Sequence, residues 1–314
     1  MSTERPFQYV FGPVASRRLG RSLGVDVVPF KRCTLNCIYC QLGATLEPTL
    51  TRAEFVPLGD VVAEVARKLA AGVSPDYVTL SGSGEPTLYS RLGELIGAIK
   101  ARTSVPVAVI TNGTLLWDPE VRNSLIGADL IMPSLDAGDQ ALFDRVNRPH
   151  AALRFEQVVE GLAGFREQFS GPIWLEVFVL ADTSDADVER IAALARRIRP
   201  DRVQLNTVAR PPAEPFALPA SEERLRGMLT LFGKNAEIIA EFSRHQRRDA
   251  ASTTHEHVLA MLKRRPCSVE DIVSGLSISR NEALEHLAYL VQSQDVRPEP
   301  RGETTYYLVS NRRP

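Results

Sequence analysis

The chain has only 4 cysteines among its 314 residues, too few for a disulfide scaffold. It has no apolar run near the roughly 18 residues of a membrane helix, so no membrane association is expected. Its first residues, Met-Ser-Thr-Glu-Arg-Pro, lack the apolar stretch of a secretory signal, and a cytoplasmic location is expected. An excess of one charge is missing too. Lys+Arg is 37 and Asp+Glu is 38, so no global field draws nucleic acid or an anionic membrane, although a local patch is not excluded. Repeats and low-complexity tracts are absent. What remains is globular: 44% hydrophobic and 24% charged residues can bury a sizeable core, and a prior of roughly 150 residues per domain suggests about two domains.

Short β-branched runs alternate with longer amphipathic stretches. The runs at 24–29, 76–81, 106–111, 129–135, 173–180 and 201–207 are bounded by Gly, Pro, Asp or Ser and read as strands. The stretches 58–71, 90–102, 118–126, 153–169 and 184–198 read as helices, with a further helix over 221–242. The stretch 184–198 begins with a capping serine and acids and ends in arginines, as the helix dipole favours. Alternation predicts parallel βαβ units with right-handed crossovers, and a doubly wound sheet and a partial (β/α) barrel both fit. In either, ligands sit at the C-terminal ends of the strands.

From 243 to 254 the chain is polar and reads as a linker. Beyond it, 255–264 reads as a helix, Ser268 and Ser279 as caps of two more, and 296–309 as a hairpin turning at Arg301-Gly302. Three helices and a hairpin resemble a winged helix-turn-helix. The expected division is therefore a barrel domain 1–242, a linker 243–254 and a small winged-helix-like domain 255–314. From residue 251 on, eight basic residues match eight acidic ones, and Glu282 and Glu285 sit on the candidate recognition helix. That balance lacks the basic face of a DNA-binding domain, and substrate or partner recognition, or capping of the barrel, is the expected role.

Cys33, Cys37 and Cys40 form a C-x3-C-x2-C run directly after the first predicted strand. Three thiolates this close can surround one metal centre. Zinc wants four ligands, and the only other cysteine, Cys267, lies in the expected second domain. An iron–sulfur cluster held by three cysteines leaves one iron open to a substrate or cofactor. Structural zinc and three incidental thiols are the alternatives.

This spacing, with Tyr39 before the last cysteine, resembles the radical S-adenosylmethionine (SAM) superfamily. The resemblance implies a partial (β/α)6 TIM-like barrel and one 4Fe-4S cluster on Cys33, Cys37 and Cys40. SAM would chelate the open iron, and one electron from a flavodoxin- or ferredoxin-type donor would cleave it to methionine and a 5′-deoxyadenosyl radical. The segment Ser81-Gly82-Ser83-Gly84-Glu85 resembles the family's Gly-Gly-Glu turn, which implies cofactor contacts for Ser83, Gly84 and Glu85. Asn112, Ser134 and Asp136 follow the third and fourth strands, where short polar side chains suit a ribose or carboxylate. In the sixth strand period two puts Gln204 and Asn206 on one face, expected to be the barrel interior near the nucleoside. Tyr39 is expected to pack around the adenine or the cluster. A buried structural amide or hydroxyl is the alternative for each polar residue.

The segments at 12–20, 134–139, 147–150 (Asn-Arg-Pro-His) and 203–214 resemble one branch of the superfamily, the iron–sulfur oxidoreductases related to the wyosine synthase of tRNA. That resemblance covers about residues 7–216 and favours tRNA base modification. Wyosine synthases use a second cluster on cysteines N-terminal to the SAM motif, whereas residues 1–32 here contain none. A small molecule or peptide as substrate is the alternative. A non-catalytic iron–sulfur regulator on DNA is another. Arg17, Arg18, Arg21, Lys31 and Arg32 fall within 16 residues, and Arg148 and Arg210 follow strands closely. Arginine forks bind carboxylate or phosphate, so Arg17, Arg148 and Arg210 are expected to hold tRNA or a small anionic substrate, with plain ion pairs as the alternative. In the tRNA enzymes a lysine holds pyruvate as a Schiff base. For Lys31 that role competes with a solvated side chain. Glu176 on the fifth strand is a candidate radical relay or substrate ligand.

Overall fold

The computed structural model describes residues 7–210, 212–240, 255–276, 278, 280–302 and 304–310. The expected linker 243–254 and the Ser279 cap lie outside the described residues. The chain opens with an antiparallel pair, β1 (Val10–Ser16) and β2 (Gly20–Val25). Then α1 (Leu58–Ala70), β3 (Tyr77–Leu80), α2 (Leu92–Lys100), β4 (Val107–Thr111), α3 (Pro119–Leu125) and β5 (Leu130–Pro133) alternate. After α4 (Gln140–Val146) and α5 (Phe155–Gln168) come β6 (Trp174–Phe178), α6 (Asp185–Ile198), β7 (Arg202–Asn206), α7 (Glu222–Phe232) and β8 (Ala236–Ile238).

Strands β2 to β5 pair in parallel, in order, and β6 to β8 do the same. Parallel bridges from Ile131 to Ile173 and from Ser134 to Glu176 join the two sheets between β5 and β6. The six expected units therefore form one curved parallel sheet, a partial barrel of the α/β class. The middle strands β4 and β5 are buried on both faces, as Val107, Ala108, Leu130 and Ile131 are each fully buried.

Four departures have local causes. The first parallel strand ends at Val25 rather than continuing to 29: Asp26 turns its carboxylate to Ser83, and Val27 and Val28 bury in the core off the ladder. Strand β1 was hidden by Gly12-Pro13, which reads as a breaker but sits at a bulge on a sheet edge, where a missing N–H is tolerated. The expected helix 221–242 stops at Phe232 because Gly233 takes φ +89° at its end, and Ala236–Ile238 then joins the sheet beside β7. Helix α4, not among the expected helices, is started by the Asp139 carboxylate, which accepts from the Leu142 N–H at 2.9 Å.

Helices α8 (His255–Arg264), α9 (Val269–Leu276) and α10 (Arg280–Gln292) and the hairpin β9 (Val296–Arg301) and β10 (Thr304–Val309) follow the sequence reading closely. Val258, Leu262, Cys267, Ile272, Ala283 and Leu287 centre a buried apolar cluster separate from that of the barrel. Helices α8 and α9 pack on β1. There the Arg264 guanidinium lies 3.8 Å above the Phe11 ring, and Arg210 pairs with Asp271 at 2.7 Å. No described helix is long and apolar enough to cross a membrane.

Candidate active site

The loop after β2 carries the three cysteines, and backbone bonds fix it on three sides. Lys31 N donates to Ser83 O at 2.6 Å, and Glu85 N donates to Arg32 O at 2.9 Å. Asn36 N and Ile38 N donate to the carbonyls of Asn147 and Val146, and Thr49 N closes the far end on Cys33 O. Gly84 is required here: a Cβ on it would stand 2.0 Å from Arg32 O.

Cys33, Cys37 and Cys40 are free thiols, and each sulfur has its own nitrogen donor. Asn112 Nδ2 lies 3.5 Å from Cys33 Sγ, Asn147 Nδ2 lies 3.5 Å from Cys37 Sγ, and Lys31 Nζ lies 3.2 Å from Cys40 Sγ. Loss of hydration, reinforced by the nearby Glu85, pushes the Cys33 thiol up to about 12. Loss of hydration and its two sister sulfurs push Cys37 up as well. Bare thiolates are thus disfavoured, and a cationic centre is what would stabilise them. Among the described residues no three His, Cys, Asp or Glu side chains converge as ligands of a single ion. A four-iron cube, by contrast, spreads its thiolates over separate irons.

Cys40 opens onto a chamber of about 440 Å³ at the C-terminal ends of the strands. Gly82 and Gly84 after β3, Ser134 after β5, Glu176 and Phe178 of β6, and Asn206 of β7 line it. Arg17 and Arg18, between β1 and β2, form one side. The roof comes from the other end of the chain, from Met261, Arg264 and Arg265 at α8 and Asp271, Ser274 and Gly275 of α9.

Of the expected site residues, the structure brings Ser134, Gly84, Asn206, Glu176, Tyr39, Arg17 and Arg210 to this chamber. Glu176 is held by Arg18 and by Asn206 Nδ2 at 2.8 Å, and Arg17 donates to Ile239 O at 2.9 Å. Other residues are placed differently. Glu85 is 2% exposed and turned inward, accepting from Thr87 N, Thr87 Oγ1, Thr111 Oγ1 and Asn112 N, so it fixes the turn. Ser83 spends its hydroxyl on Asp26 at 2.5 Å. Asn112 turns to Cys33 and to Thr34 Oγ1 rather than to the chamber. Asp136 accepts from the Tyr39 hydroxyl, from Asn147 Nδ2 at 2.9 Å and from Phe178 N at 3.0 Å. Burial moves its carboxyl up to about 6, and the Tyr39, Asn147 and Phe178 donors oppose that rise. It holds the Tyr39 ring, which stacks on Phe178 with centroids 3.9 Å apart. Gln204 is buried away from the chamber on Glu237. Arg148 is outside it, in an ion pair with Glu214 at 2.5 Å, the plain alternative of the sequence reading. Lys31 is half-buried, and its ammonium faces a cysteine sulfur.

Sequence reasoning passed over Asn147, Asp26, Arg264 and Arg265. Asn147 stood inside the quoted Asn-Arg-Pro-His segment. The two arginines were hidden in a neutral charge count.

Residues 27–195 match the family model described as the Radical SAM superfamily. The chain belongs to that superfamily. A UPF0026 protein of Helicobacter pylori is 33% identical over 306 residues, covering 96% of this chain and 97% of that protein. A Brachyspira hyodysenteriae protein named GTPase Obg is 39% identical over 96% of this chain, which spans only 45% of that protein's length. Among solved structures, a radical SAM methyltransferase from Sphaerobacter thermophilus shares the fold at TM-score 0.50 and 20% identity, over 70% of this chain and 66% of that one. This radical SAM enzyme therefore takes the superfamily's cofactors, a 4Fe-4S cluster and SAM, in place of the zinc alternative. The three donor-flanked sulfurs fit the cluster, and the adjoining chamber, floored by Gly82 and Gly84, fits a nucleoside ligand beside it.

Proposed function

We propose that this enzyme removes a hydrogen atom from a small substrate enclosed between the barrel mouth and the C-terminal segment. Cys33, Cys37 and Cys40 would hold the cluster, and Gly82, Gly84, Ser134 and Asn206 would line the SAM site. When bound, the two cofactors supply one-electron reductive cleavage of SAM, driven by an external reductant. The protein's part is orientation and exclusion of water. Asn112, Asn147 and Lys31 direct N–H groups at the sulfurs, which favours their charged form. Tyr39, fixed by Asp136 and Phe178, makes a rigid aromatic wall. Glu176, held by Arg18 and Asn206, presents a fixed carboxylate to the chamber.

One observation carries the small-substrate reading: α8 and α9 roof the strand ends that a bulky substrate would have to reach. A division into a barrel domain 1–242, a linker 243–254 and a roofing domain 255–314 belongs to this reading, and two separate apolar clusters support it. The second reading, tRNA base modification, rests on the segments that resemble wyosine synthases. A DNA-binding regulator is the third. Anaerobic reconstitution followed by chromatography for 5′-deoxyadenosine tests the chemistry. The wild type is expected to form it with SAM and dithionite, and Cys37→Ala is not. A fully iron-loaded protein that never forms it would leave only the regulator. Salt-dependent tRNA binding would restore the second reading.

A further inference from the structure

We propose that Arg210, Arg264 and Arg265 form an oxyanion site that takes a carboxylate or phosphate group of the substrate where the barrel meets its roof. The proposal deepens the reading above and rests on it for the substrate's position.

The three arginines come from distant parts of the chain, Arg210 after β7 and the other two at the end of α8, and all line the chamber. Three acids bear on them: Asp271, Asp26, and Glu64, whose carboxylate is taken by the N–H groups of Gln8, Tyr9 and Val10. Asp271 gives one oxygen to Arg210 Nη2 at 2.7 Å and the other to Ser268 N at 3.0 Å, the start of α9. Asp26 accepts from Ser83 N and Oγ at Oδ2, its buried Oδ1 keeps no partner, and Arg264 Nε stands 3.9 Å from Oδ2, within ion-pair range but beyond a hydrogen bond.

Hydrogen-bonding capacity is left over at this spot. The Arg210 and Asp271 side chains are 9% and 10% exposed, yet Arg210 Nε has no partner. Arg264 Nε is likewise buried without one. An arginine fork offers Nε and one Nη together to two oxygens of a planar or tetrahedral anion, and Asp271 fills one prong of the Arg210 fork. Buried donors of this kind are normally completed by protein, ordered water or a ligand, and these two border a cavity with room for one. Burial, and then Arg210 beside it, penalise the Arg265 cation, which an incoming anion would relieve. Three guanidinium groups on one wall of a cavity of about 440 Å³, two of them with an unused buried Nε, make an arrangement that an oxyanion would complete.

The test uses cluster-loaded enzyme with SAM and no reductant, so that no turnover occurs. Inorganic phosphate and succinate are titrated separately by calorimetry and thermal unfolding, against chloride at equal ionic strength. Saturable binding of at least one is expected, with no effect of chloride. Preference for phosphate marks a phosphorylated substrate, and preference for succinate a carboxylated one. Arg265→Gln is expected to weaken binding by at least about tenfold. Asp271→Asn, which removes the resident acid and frees the Arg210 fork, is expected to tighten it. Saturation by neither anion overturns the site, as does unchanged affinity in both variants. A protein that makes 5′-deoxyadenosine but ignores both anions loses this site and keeps the reading above.

Discussion

Replacing Gly84 by alanine tests the geometry on which the site depends. The added methyl would stand 2.0 Å from Arg32 O, 2.9 Å from Arg32 C and 3.1 Å from Val28 Cγ2. Two of these atoms are backbone, so no side-chain rotation relieves the clash. The turn must move away from the cysteine loop, and the bonds that join them, Lys31 N to Ser83 O and Glu85 N to Arg32 O, stretch. Overpacking costs about 1–3 kcal/mol, and each lost backbone bond about 1 kcal/mol. A total of roughly 3–5 kcal/mol lowers Tm by about 6–20 °C at 2–4 °C per kcal/mol for a unit of this size. Because Arg32 adjoins Cys33, iron content after anaerobic reconstitution is expected to fall with it. Gly59→Ala is the control: nothing lies within 4 Å of its added methyl, and alanine favours helix. The measurements are iron and sulfide per chain and thermal unfolding of the apoprotein. Wild-type Tm and full iron loading in Gly84→Ala would refute the argument.

Three further outcomes are expected. Glu85→Gln turns an amide N–H₂ toward a site where four donors already converge, and a loss of about 1–3 kcal/mol is expected in denaturant titration of the apoprotein. Cys267→Ser should leave iron content unchanged, since Cys267 is fully buried in the apolar cluster of the C-terminal segment, whereas Cys33→Ala should abolish cluster assembly. At Asp271, burial raises the carboxyl but Arg210 and the other donors outweigh it and hold it below the usual carboxylate range. A depressed folded value adds stability that is complete above about pH 4 and fades as pH falls through that value. Proteolytic protection of residues 255–276 should therefore persist at pH 5–7 and fail only in stronger acid, and Asp271→Asn should remove that acid step.

Much of the scaffold was legible because its signals are local. Ser184 and Asp187 cap α6 reciprocally, and the β-branched runs at 107–111 and 202–206 announce buried parallel strands. The three cysteines were legible because their spacing alone brings them together. The roles of Glu85, Asn112 and Asp136 were not. A polar residue just after a strand reads as a ligand contact, and only the fold reveals that Thr87, Thr111, Asn147 and Tyr39 consume those groups first. The ion pair of Arg210 with Asp271, 61 residues apart, has no local signature at all. Strand β1 failed for the opposite reason, a strong local breaker overruled by an edge position.

The wall that seals the chamber is encoded after everything it covers. Residues 261–275 are made only after the whole barrel, and with Cys40 they line one chamber. The strand ends are therefore complete in sequence before the segment that roofs them begins.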